Sequence, residues 1–256
     1  MRFRELLNGR DQASPRGNVD VGWVIDPNLE STFIWDAPHK LTPEKKTDHA
    51  KGISFCPAVA DHESRLTEIR CPIDIKLRFF VDAQGNPSMA GIDGDQSSIR
   101  PQQFAKMVMA VHPSEWRHPG RPIIQVMTPL LFVSDEPVWL TQMPAFYHHR
   151  SPQLPGVMIG GRFPIHIWPR ELTWAFEWHD TKAELIIKRG EPWFYVNFET
   201  EQPSAHVRLV EAEMTDDLRA YTNGMRGVTN YVSRTFSLFG TAKARRPKTL
   251  LIKKQR

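Results

Sequence analysis

Between Leu172 and His179 the side chains alternate without a break, and this stretch constrains the fold more than any other. Leu172, Trp174, Phe176 and Trp178 fall on one face, while Glu171, Thr173, Ala175, Glu177 and His179 fall on the other. Successive side chains of a strand point to opposite faces, so the pattern predicts a strand with one heavily aromatic side. A helix would scatter the four large residues around its circumference. Residues 193–198 alternate in the same way, with Phe194, Val196 and Phe198 opposing Trp193, Tyr195 and Asn197. His179-Asp180-Thr181 and Arg189-Gly190-Glu191-Pro192 read as turns on either side of residues 183–188, and Gly190 is free to take a positive φ. Residues 162–168 also alternate but contain Pro164, which lacks the N–H that a ladder needs, so an edge strand or a bulge is expected there. Together, residues 155–198 read as an antiparallel meander whose aromatic face is core.

The same logic places other elements. In residues 68–80, Ile73, Ile75, Leu77 and Phe79 share one face, and Gly85-Asn86 follows as a turn, which predicts a hairpin. Residues 101–110 have helical spacing at Phe104, Met107 and Val108. Residues 123–127 and 130–133 read as two strands around Thr128-Pro129, with short strands at 138–140 and 206–211. Thr215-Asp216-Asp217 opens a helix over about 215–236, with Leu218, Tyr221, Met225, Val228 and Val232 as its apolar stripe. Thr42 and Pro43 would start a helical turn in 41–51. The expected class is mainly β (α+β): an antiparallel β-sandwich or barrel with one C-terminal amphipathic helix. Residues 1–50 read as an irregular N-terminal segment, 51–240 as a single β-rich domain, and 241–256 as a flexible basic tail.

Composition adds limits. The 256 residues suffice for a sizeable core, and 21 prolines and eight tryptophans suit a loop-rich β protein better than a helical bundle. No apolar run approaches bilayer length, and the charged start MRFRELLNGRDQ lacks the apolar centre of a signal peptide, so a cytoplasmic location is expected. Two cysteines, Cys56 and Cys71, are too few for a disulfide framework or a cysteine-rich zinc site, and whether they pair is open. The net charge of +4 is unevenly distributed. Seven of the 33 basic residues lie from Lys243 onward with no acid among them, leaving 26 against 29 acids in the rest.

The densest set of site-capable side chains is QMPAFYHHRSPQLP, residues 142–155, with Tyr147, His148, His149, Arg150 and Ser151 on a loop between strands. Adjacent histidines on an extended chain point opposite ways, so His148 and His149 do not read as two ligands of one metal. Asp74 and Arg162 complete the candidate ligand-binding set. In the tail, Lys243, Arg245, Arg246 and Lys248 are the candidate nucleic-acid contacts, sequence-independent and salt-sensitive. The spacing from Gly160 to His166 opens like a cupin metal motif, with Trp168 where a second histidine would stand. A 2-His-1-carboxylate iron site would draw on His166, His179, Asp180 or His206.

Two resemblances accompany these patterns. The set CPAV, CPIDI, TPLLF and RGEPWFYVNF resembles a family of uncharacterised proteins of tailed phages and marine bacteria, which implies a phage-like origin and, with it, a virion-associated location. The order of elements is similar to the β-clip domain of dUTP pyrophosphatases and dCTP deaminases. Pro72-Ile73-Asp74-Ile75-Lys76-Leu77 stands for the opening segment of those enzymes, and His149-Arg150-Ser151 for their phosphate loop. Gly156-Val157-Met158-Ile159 and the stretch from Gly190 to Phe198 follow, and Arg234 with Phe239-Gly240-Thr241 resembles the closing arm. That resemblance implies a β-clip-like barrel and a nucleotide site using Asp74, Arg150 and Ser151 with Mg²⁺. Where the pyrophosphatases carry the acid that activates water, this chain has Gly160.

The leading functional reading is a ligand-binding β-rich module, possible as a homo-oligomer, without a recognisable catalytic set and without a membrane partner. The enzyme alternatives are a divergent dUTPase- or dCTP deaminase-like enzyme with Mg²⁺ and a cupin-like non-haem iron enzyme. The third class is a phage structural or nucleic-acid-associated protein.

Overall fold

The computed structural model describes residues 17–26, 34–42, 52–94, 100–202, 204–228 and 235–255. The chain is mainly β with a few helices. The first sheet runs in the order β14 (His206–Glu211), β1 (Asn18–Ile25), β7 (Ile123–Val133), β11 (Glu171–Trp178) and β9 (Gly156–Ile159), and β6 (Val108–Ala110) also pairs with β7. The second runs β10 (Gly161–Pro164), β8 (Val138–Pro144), β13 (Pro192–Thr200), β3 (Leu66–Arg70) and β2 (His39–Lys40). A third, smaller sheet is β12 (Leu185–Ile187), β4 (Ile75–Val81) and β5 (Pro87–Gly91). All pairings are antiparallel except β1 with β14.

The first two sheets face each other across an aromatic core. Phe132 on β7 meets Phe198 on β13 with ring centroids 5.3 Å apart, and Trp174 on β11 meets Trp193 on β13 at 5.6 Å. The alternation in β11 is used as expected: Leu172, Trp174, Phe176 and Trp178 are all buried in this core. The third sheet packs against one end, where Phe79 lies 6.3 Å from Trp178. The opposite face of the first sheet is also covered. Val24, Leu131 and Val133 pack on Leu218, Tyr221 and Met225 of α3 (Asp216–Val228) and on Leu238 and Ala242 of α4 (Thr235–Arg245). A strand buried on both faces needs a continuous apolar run, which is why residues 130–133 read LLFV rather than alternating.

Several expectations need correction. The 155–198 stretch is not a meander. Its strands disperse over three sheets: β11 pairs with β7 and β9, β12 with β4, and β13 with β3 and β8. Residues 123–133 are one strand and not two. The chain absorbs Pro129 in an irregularity where Met127 pairs with Thr173 and Leu131 with Glu171. Residues 101–110 divide into α2 (Pro101–Met107) and β6. Pro57–Arg65 forms a helix, α1, that periodicity did not disclose; it buries no residue, so it carries no apolar stripe to read. Among the described residues two helices, α3 and α4, stand toward the C-terminus, and residues 229–234 of the expected helix, Val232 included, lie outside the described residues.

The segment 1–50 is not wholly irregular, because β1 lies between β14 and β7. Nor are residues 241–255 a loose tail. Leu250 is buried at 1 % exposure, Lys253 bridges to Ala212, and the Arg246 guanidinium bonds to the carbonyls of His166, Pro247 and Lys248 and to Asp135. The helical turn expected in 41–51 falls largely outside the described residues, as does Arg234. Among the described residues, no helix is long and apolar enough to cross a membrane.

Candidate functional site

The loop that links β8 to β9 is the part of the sequence richest in site-capable side chains, and it roofs a cavity of about 370 Å³. Two backbone bonds fold its first half into a tight turn: Phe146 N donates to Pro144 O at 2.8 Å and His148 N donates to Ala145 O at 3.0 Å. The turn raises Phe146 and Tyr147 out of the sheet, where they are half exposed. Tyr147 is held from the side, its hydroxyl 3.0 Å from His62 Nδ1 on α1, while the His62 ring stacks on Phe146 with centroids 5.9 Å apart. Phe146 in turn meets Tyr195 edge-on at 5.5 Å.

The second half of the loop is fixed by Arg150. Its guanidinium donates to Glu191 Oε2 at 2.5 Å and to the carbonyl of Pro192, and the side chain is only 9 % exposed. Glu191 Oε2 also accepts from Lys188 N, and Asp74 Oδ1 accepts from Arg189 N at 2.8 Å. Asp74 and Arg150 therefore meet the same 188–192 turn and brace it from two sides. The same turn is tied to Cys71, whose N–H donates to Glu191 O at 3.0 Å and whose carbonyl accepts from Gly190 N at 2.8 Å; burial pushes the Cys71 thiol up to about 12.

The inner wall of the cavity is aromatic. Trp174 and Trp193 line it and are buried at 1 % and 2 % exposure. The indole Nε1 atoms of both are buried without a hydrogen-bond partner, and so is Nε2 of His148 on the loop above. Gly156 makes the cavity's edge: a Cβ there would lie 2.0 Å from Glu177 O and 2.9 Å from the Phe176 ring, so only glycine permits β9 to close on β11. What the arrangement offers a ligand is a cavity rimmed by Phe146, Tyr147, His148, His149 and Arg150.

The candidate residues divide as follows. His148, His149 and Arg150 line this cavity, with His149 exposed and Arg150 engaged in the brace. Ser151 is exposed further along the loop. Asp74 belongs to the 188–192 brace. Arg162 stands elsewhere, on the edge strand β10, where it pairs with Glu199 at 2.9 Å and lies 5.2 Å above the Trp139 ring. The iron candidates are dispersed: His166 lies 3.0 Å from Val138 O, His179 bonds Glu177, Asp180 caps a turn at Lys182 N, and His206 lines a different cleft. Among the described residues no three His, Cys, Asp or Glu side chains form a group able to hold a metal ion. Of the tail cations, Lys243, Arg245 and Lys248 are exposed, whereas Arg246 is bonded within the chain.

The loop stands out in the sequence by its density of polar and aromatic side chains, whereas the wall behind it does not. Alternation places Trp193 on the face opposite Phe194, yet both are buried in the core, because the pairing of β13 with β3 slips between Pro192 and Phe194. Such a slip has no periodic signature. Compared with known protein families, the chain matches no family, and it matches none of the curated proteins.

Proposed function

We propose that the chain is a ligand-binding module whose site is the cavity beneath the β8–β9 loop. The observation that carries this reading is the gathering of Phe146, Tyr147, His148, His149 and Arg150 around one cavity whose floor is closed by the buried Trp174 and Trp193. A volume of about 370 Å³ is within the range of small-molecule sites. The binding reading is favoured over a nucleotide hydrolase because the Arg150 guanidinium and the Asp74 carboxylate are both engaged with the 188–192 turn.

The test is a ligand-observed NMR screen of a fragment library against the purified protein and Val157→Trp. Val157 is 41 % exposed at the cavity's rim, so the larger ring blocks entry without disturbing the core. Fragments that bind the native chain and are lost by the variant support the placement. Hits that bind both proteins equally overturn it.

A further inference from the structure

A second cleft, sharing no lining residue with the cavity beneath the β8–β9 loop, opens where α1, β2, the end of β13 and the start of β14 come together. We infer that it binds a small hydroxylated molecule through an oxyanion, a phosphate or a carboxylate, with Lys40 as the receiving cation.

Charge accounting leads there. The cleft, about 580 Å³ in volume, is lined by two acids, Asp61 and Glu199, and by Lys40, Arg65 and His206. Both acids are already met. Asp61 takes Arg65 Nε at 2.9 Å on one oxygen and Nη2 at 3.1 Å on the other. Glu199 takes the Arg162 guanidinium on Oε2 and the Thr141 hydroxyl on Oε1. Lys40 is left over, since its ammonium pairs with no carboxylate among the described residues and the only charge acting on it is that of Arg65.

The surroundings of Lys40 sharpen the point. One side of the residue stays open to water, yet burial first, and then the like charge of Arg65, hold its ammonium below the ordinary lysine value. A cation that has lost part of its hydration and faces another cation is relieved by an anion, and the arriving oxyanion displaces less water there.

The rest of the lining decides what carries the oxyanion. Ser64, Asn197, Thr200 and Ser204 bring hydroxyl and amide groups to the cleft, a lining that matches a hydroxylated molecule better than an apolar one.

The experiment titrates the whole protein with glycerol 3-phosphate, glycerate, inorganic phosphate and glycerol, followed by backbone amide shifts and calorimetry. The anions should bind and shift the amides of Lys40, residues 61–65 and residues 204–207, with glycerol at least about tenfold weaker. Tighter binding of the phosphate or of the carboxylate supports the site and names the oxyanion. Lys40→Met should weaken the anions about tenfold, and Lys40→Arg should retain them. Raising the pH should weaken binding by the native chain before it weakens binding by Lys40→Arg, because a guanidinium keeps its proton. Glycerol binding as tightly as glycerol 3-phosphate overturns the charge requirement. Anion binding that Lys40→Met leaves unchanged, or shifts confined to other parts of the chain, overturns the placement. Silence of all three anions at about 10 mM, where even a millimolar affinity registers, overturns the site itself.

Discussion

Single residues carry a large share of what distinguishes this chain, and they differ in how openly the sequence declares them. Gly85 and Gly190 were legible, because turn residues between alternating runs call for positive φ, and they adopt +85° and +80°. Arg150 stands out in the sequence as part of a polar loop but not as a brace, since nothing local links it to Glu191 forty-one positions later. Gly156 enters the sequence reading only through the β-clip resemblance and proves to be a contact that tolerates no Cβ. Gly156→Ala is expected to cost about 3 kcal/mol, the upper end for overpacking, measured by urea unfolding. Tyr221 is a second such residue. It is buried beneath the helices, and its hydroxyl is shared between Ile167 O at 2.5 Å and Ala242 O at 2.8 Å, which ties α3 to both the 164–168 turn and α4. Burial pushes its phenol up to about 12. The folded pKa lies above the usual value near 10, so the contribution is complete below about pH 10 and is lost as pH rises through 12. Tyr221→Phe leaves two carbonyls without their donor and should cost about 1–2 kcal/mol at neutral pH. An unchanged urea midpoint would show that water replaces the phenol.

Elements were legible where a pattern stayed local. The hairpin β4–β5 closes on its own turn, and α3 begins where Thr215 promised, with Thr215 Oγ1 accepting from Leu218 N at 3.1 Å. Pairing partners were not legible, because alternation states which face is buried and not which strand lies alongside. The central strand β7 shows this best. Thr128-Pro129 looks like a break, yet the strand continues because Thr128 substitutes for the ladder that proline interrupts. Its Oγ1 donates to Leu172 O at 2.8 Å across to β11 and accepts from Leu130 N at 3.3 Å, in a site only 1 % exposed. Asp26 N then takes Pro129 O at 2.8 Å, so the proline's carbonyl is satisfied from β1's end. Thr128→Val preserves the side chain's outline and removes both bonds, and should destabilise the protein by about 1–3 kcal/mol. Circular dichroism unchanged at low temperature, with a lowered urea midpoint, would mark a lost bond rather than a lost strand.

At the scale of the whole molecule, α3, α4 and residues 246–255 form an outer layer over the first sheet, and β1 meets residues 250–253 there. The apolar triplet Leu250-Leu251-Ile252 is too short for periodicity to flag, and the basic residues around it concealed the packing. The attachment is polar as well as apolar. Asp135 Oδ1 accepts from Leu250 N at 2.7 Å, Glu213 N donates to Ile252 O at 2.8 Å, and Lys254 reaches Glu211 at 2.6 Å. Gly22 admits the layer, since a Cβ there would lie 2.9 Å from Ala212 and 3.1 Å from Leu251. Asp20 on β1 joins three pieces, bonding Arg208 of β14 and Lys253 of the closing segment at 2.6 Å each. Arg208 first, and then Lys253, hold its carboxyl down to about 2. A carboxylate depressed in this way stabilises the fold fully above its usual value near 3.8, and loses that contribution as pH falls through 2. Asp20→Asn lacks it at every pH. Native and variant proteins should therefore differ by about 1 kcal/mol at pH 7, because the pairs are partly exposed. The gap should hold to about pH 4 and close toward pH 2, followed by urea unfolding at each pH. A gap that stays constant down to pH 2 would mean that Asp20 acts through its shape and hydrogen bonds rather than its charge, and that acid does not loosen this junction first.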